Sequence, residues 1–243
     1  MKMQNFDGIA EKLKRAKENF LNLEAEIAHF FQEGDYSVLP EHDRKLLVAA
    51  IEYHKNRAIP PRFSVLTGEV IHHLRSCFDH IVWHFSVGQK CNARQIEFPV
   101  FRKKPIDKED CERFDRKIQG ITDPNARALI ERLQPYNATD PVDDPLWIIH
   151  DLDITDKHRE LLLCMGTASM IFPIEMGSVI ESYQEEHPEL DDAHIAHHFK
   201  DNGLAMPCIS FGKFGQREIK PVVSGLRELL NYTLKAIKEF EQI

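Results

Sequence analysis

The stretch HHLRSCFDHIVWH, residues 72 to 84, sets four histidines, one arginine and one aspartate into thirteen positions of an otherwise apolar segment. Read at 100° per residue, it separates into faces. His73, Cys77, His80 and His84 fall on one narrow face, and His72, Ser76, Asp79 and Trp83 on the adjacent one. Ile71, Leu74, Phe78, Val82 and Phe85 form a third, apolar side. The spacing therefore predicts a helix, buried around much of its circumference, whose polar groups need partners. It extends from Ser64 to about Val87, free of internal proline and preceded by the Pro60-Pro61 stop.

Working outward, residues 6 to 32 place Ile9, Leu13, Phe20, Leu23, Ile27 and Phe30 at helical spacings with charges between them. Residues 34 to 61 are ambiguous: Leu47, Ala49, Ile51 and Tyr53 alternate like a strand, whereas Leu46, Ala50, Tyr53 and Arg57 fit a helix. QIEFPVF (95 to 101) reads as a short strand, and CERFDRKIQGITDPNARALIERLQPY as two short helices separated by Gly120 to Pro124. The turn-rich NATDPVDDP precedes LWIIHDLDITDKHRELLL, helical first and strand-like after a transition near Arg159. LLLCMGTASMIF, SVIESY and LAMPCISFG read as strands around the polar insert EEHPELDDAHIAHHFKDNG, most simply an antiparallel sheet. Pro221 opens a last helix with a stripe of Val222, Leu226, Leu229, Leu230, Leu234, Ile237 and Phe240. No repeat or linker divides the 243 residues. The expected architecture is one α+β domain, residues 1 to 243, with three long helices against the sheet.

Composition narrows the function classes. A formal net charge of -8 argues against a broadly basic nucleic-acid surface, so any RNA contact must be local. Five cysteines without paired spacing and a polar amino-terminal segment read as a cytoplasmic chain with reduced thiols. No run reaches the roughly 18 apolar residues of a membrane span.

Three readings fit the central helix. In the first, its histidines, Arg75 and Asp79 are mutually bonded groups that fix the packing and line a groove for a ligand or protein partner. That groove draws on His73, Asp79, Asp156, Lys157, His158 and Arg159, since a second polar cluster, HDLDITDKHRE (150 to 160), is satisfied at least cost by the first. Arg75, Asp79, His80, Asp156, His158 and Arg159 are thus expected close together, and no cofactor is implied. In the second, His80 and His84, four apart, converge on a metal ion with a third ligand from His150, Asp153 or His158. The third rests on RSCFDH itself: Arg75 and His80 resemble the R-x4-6-H motif of HEPN-domain ribonucleases, metal-independent enzymes that work at a dimer cleft. The resemblance implies that Arg75 stabilises phosphate charge, that His80 transfers protons, that RNA is the substrate and that the chain forms a homodimer. On an ideal helix the two side chains stand about 140° apart, so they meet at one phosphate only across an interface or a bend.

More widely, TGEVIHHLRSCFDHIVW, IEFPVF, IERLQPY and DPLWIIHDLDITDKHRELL, across residues 67 to 162, are similar to an uncharacterised bacterial protein family that carries an LRSxLDH helix, a QPY segment and a DKHR segment. This resemblance implies a β-hairpin over Tyr36 to His54 and no particular reaction. In this chain Cys77 and Phe78 occupy the variable and leucine positions of LRSxLDH.

Overall fold

A computed structural model describes residues 6–32, 39–40, 58–86, 91–159, 163–170, 204–215 and 220–243. Among them are six α-helices and a small antiparallel sheet, an α+β composition. The helices are α1 (Asp7–Gln32), α2 (Pro61–Ser86), α3 (Lys108–Lys117), α4 (Pro124–Arg132), α5 (Pro145–His158) and α6 (Val222–Phe240). The chain groups into two compact units. One comprises residues 1–24, 61–162 and 211–243, and the other residues 25–60 and 163–210. No helix among the described residues is long and apolar enough to cross a membrane.

In the first unit α2 packs on both α5 and α6, which also touch each other. It buries Phe63, Leu66, Val70, Ile71, Leu74, Cys77, Phe78, Ile81 and Val82. Phe78, Phe98 and Phe240 form the aromatic centre, with ring centroids of Phe98 lying 5.1 Å from Phe78 and 6.4 Å from Phe240. The stripe of α6 is buried in this same core, through Val222, Leu226, Leu229, Leu230, Ile237 and Phe240, with Leu234 half-buried. Helix α1 adds Ile9, Ala16, Phe20 and Leu23. Arg227 of α6 ties it down, lying over the Phe20 ring and pairing with Glu24.

Local sequence sets the boundaries. Helix α2 starts earlier than the sequence predicts, at Pro61, because a proline in the first turn forfeits an N–H that has no helical acceptor anyway. Asp123 and Asp144 cap α4 and α5 by accepting backbone N–H bonds, each followed by proline at the first helical position. Helix α5 ends where the transition was expected, with Arg159 extended.

QIEFPVF is not a strand. Residues 93–95 form a 3-10 turn and 96–100 run without a ladder partner. The backbone is satisfied by side chains instead. Phe98 N–H donates to Asp79 and its carbonyl accepts from Arg75, while Phe101 N–H donates to Gln134 and the Pro99 carbonyl accepts from it.

The second unit holds most of the sheet, with β1 (Leu39–Pro40), β2 (Leu163–Met170) and all but the last residue of β3 (Leu204–Phe211), in the order β1-β3-β2. Leu39 pairs antiparallel with Ala205, and Pro40 with Leu204. The remainder of the expected 36–54 hairpin, the strand SVIESY and the insert EEHPELDDAHIAHHFKDNG lie outside the described residues.

Candidate functional site

Helix α2 meets different neighbours on its different sides, and this divides its polar residues into three groups. The first surrounds Arg75, which is 4% exposed. Its Nη1 donates to Asp79 Oδ1 at 2.6 Å, its Nη2 to the Phe98 carbonyl at 3.0 Å, and its Nε reaches His150 Nδ1 at 3.5 Å. Asp79 Oδ1 also accepts the Phe98 N–H at 2.9 Å. Arginine and aspartate one turn apart thus clamp both polar atoms of a single residue. Burial, reinforced by the charges of Arg75 and Lys117, pushes His150 down to about 4, leaving a neutral ring whose Nδ1 lone pair faces the guanidinium. Burial raises the Glu97 carboxyl, but its bond to Lys117 and the nearby cations outweigh that and hold it low.

The second group opens a groove of about 440 Å³, lined by Arg15, Val65, Gly68, Glu69, His72, His73 and Asp156. The lining His72 reaches Asp153 of α5, which is 3% exposed and doubly partnered: Oδ1 lies 3.1 Å from His72 Nδ1, and Oδ2 accepts from Lys157 Nζ at 2.6 Å. The buried Asn19 of α1 donates to Glu69 Oε2 at 2.8 Å. Asp156 differs. Among the described residues no hydrogen bond or ion pair reaches its carboxylate, and burial, then the charge of Asp153, raises its proton affinity. It lies against Gly68, where an added Cβ would stand 2.5 Å from its carboxyl carbon. His73 presents a buried Nδ1 with no partner, and burial, followed by the Lys12 charge, lowers its pKa.

The third group faces the start of α1. The His84 ring lies 4.5 Å from Phe6 and 5.1 Å from Phe85, and the exposed His80 lies beside Gly8. Burial lowers both histidines. Among the described residues no set of three histidine, cysteine, aspartate or glutamate side chains could hold a metal ion. Of the third ligands considered for His80 and His84, His150 stands beside Arg75 and Asp153 is committed to His72 and Lys157.

The expected single cluster is therefore divided. Arg75 and Asp79 meet, His73 shares the groove with Asp156, and Lys157 pairs with Asp153. Asp156 sits at Gly68, seven residues and roughly 10 Å along the helix from Arg75. His80 faces α1, and His158 and Arg159 are exposed at the end of α5. The cause is that the cations found nearer acids, Arg75 pairing with Asp79 and Lys157 with Asp153, each one turn away, which leaves Asp156 without an ion pair among the described residues. Sequence reasoning did not place His72, Glu69, Asn19 or Gly68 at this groove. The available signal was Gly68, a glycine inside a helix, where alanine is favoured by about 1 kcal/mol unless something needs the space.

Comparison of the chain with protein-family models, with curated proteins and with solved structures finds no match.

Proposed function

We propose that this protein binds a small polar molecule in the groove between α1, α2 and α5. The observation that carries this reading is Asp156, a carboxylate unpartnered among the described residues and turned into a groove at the one position where α2 lacks a Cβ. Partly desolvated charge without a partner is costly, and a ligand that completes it recovers that cost on binding. The volume suits a small metabolite. The half-exposed Val65 supplies an apolar wall beside Glu69, His72 and His73. Protein partners are a less specific fit, because the lining is concave and charged.

The ribonuclease reading needs Arg75 and His80 at one phosphate. Arg75 is buried with its donors on Asp79, Phe98 and His150, while His80 lies on the α1 side of the same helix. The groove reading uses neither residue. A thermal-shift screen of polar metabolites tests it. A ligand at a hundred times its dissociation constant stabilises the folded state by about 2.7 kcal/mol. At least one such shift is expected in the parent and is lost in Val65→Trp, a change at the exposed rim that overhangs the groove. A screen with no hit, or hits indifferent to Val65→Trp, rules the groove out as the binding site.

A further inference from the structure

Resting on the groove assignment above, we infer that its occupant carries a cationic head, an ammonium or guanidinium on a short alkyl stem, received by Asp156 and Glu69. The groove's charges are unequally answered. Asp153 is matched by Lys157 and His72, and Arg15 is matched by Glu18 at 3.2 Å. Glu69 has given one oxygen to the Asn19 amide, which fixes the carboxylate without neutralising it. Asp156 has no ion pair among the described residues. Two carboxylates on facing helices thus present negative charge into one concavity, and a ligand anion entering there would be repelled by both. A bare metal ion fits less well, since no third ligand of the right type converges among the described residues.

An ammonium or guanidinium needs only acceptors, and the groove supplies them: both oxygens of Asp156 and the free oxygen of Glu69. Gly68 is what lets the ligand's cation approach. Its missing Cβ allows the Asp156 carboxyl to lie back against the helix, leaving the space in front of it open. Val65, along the same wall, contacts a methylene stem. Burial, then the charge of Asp153, makes the ionised Asp156 costly, and an arriving cation offsets that cost.

Isothermal titration of the full chain with agmatine and butylamine as cationic probes, 1,4-butanediol as a neutral one, and succinate and inorganic phosphate as anions tests the class. Binding is expected for agmatine and butylamine only, weakening as salt rises. Asp156→Asn, isosteric and freed from repulsion by Asp153, is expected to remain folded and to weaken agmatine at least tenfold. Glu69→Gln weakens it several-fold. Butanediol or succinate binding that Val65→Trp blocks and Asp156→Asn leaves unchanged overturns the cationic class while the groove stands. A parent that binds no cationic probe also overturns it, and if the metabolite screen fails as well, both readings fall together.

Discussion

Arg75 is accommodated in the interior because its donors face Asp79, the Phe98 carbonyl and His150. Removing one partner of such a pair costs far more than the net worth of the pair. Arg75→Met is therefore expected to lower stability by about 3 kcal/mol, read as a fall in the urea midpoint with an unchanged slope. A loss below about 0.5 kcal/mol would show that the clamp on Phe98 is incidental. His150 carries a pH signature. Its folded pKa is depressed to about 4 against 6.5 in the unfolded chain, so the unfolded state binds more protons below pH 6.5. This contribution is fully present well above pH 6.5 and falls as the pH drops, by about 1.5 kcal/mol between 6.5 and 5. Burial depresses His73, His80 and His84 in the same direction, adding to that slope. Parallel denaturation curves at the two pH values for the parent and His150→Asn check it; an unchanged slope in the variant removes His150 as the cause.

At the scale of elements, Gly68 trades helix propensity for room. Alanine at an open helical site gains about 1 kcal/mol over glycine, but here its Cβ meets the Asp156 carboxyl. Gly68→Ala alone is expected to destabilise, whereas Gly68→Ala in an Asp156→Ala background is expected to stabilise, and the double-mutant cycle measures the coupling. Additive changes would remove the steric account. Gln134, 1% exposed, holds the 96–101 segment through Phe101 N–H and the Pro99 carbonyl. Its replacement by leucine leaves a buried donor and acceptor unpaired and is expected to cost about 2–3 kcal/mol in a chemical melt. These two elements mark where reading from sequence succeeds and stops. Helices α2 and α6 are legible because their apolar residues recur at helical spacing over five or more turns. The alternation in QIEFPVF suggests a ladder, yet its partners are Asp79, Arg75 and Gln134, and nothing in the local pattern distinguishes a strand neighbour from side chains 19 to 35 residues away. The site fails in the same manner. A helical projection correctly separates His73, His80 and His84 from Arg75, but it cannot say that α1 faces one side and α5 another.

For the molecule as a whole, the net charge of -8 matters less than where the cations stand. Lys157 pairs with Asp153, Lys117 with Glu97, Lys220 with Glu228, Arg127 with Asp115, Arg132 with Glu239 and Arg227 with Glu24. Arg75 is buried besides. A polyanion gains affinity by releasing counterions, one per phosphate that a lysine or arginine neutralises, and cations already matched to carboxylates contribute little to that release. The groove, bearing the carboxylates of Glu69 and Asp156, offers RNA no compensation. Single-stranded RNA is accordingly expected to bind weakly at 0.15 M salt, with a shallow dependence of affinity on salt, and a fluorescent RNA is expected to remain uncut after overnight incubation. The same assay with Arg75→Ala and His80→Ala separates structure from chemistry. Here His80→Ala, at an exposed position, is expected to leave stability within about 0.5 kcal/mol, whereas Arg75→Ala lowers it. Cleavage by the parent that disappears in a normally folded His80→Ala variant would establish the ribonuclease reading and displace the groove as the seat of function. Cleavage indifferent to His80 would instead trace to a contaminating nuclease, since no other residue of this chain pairs with Arg75 in that motif.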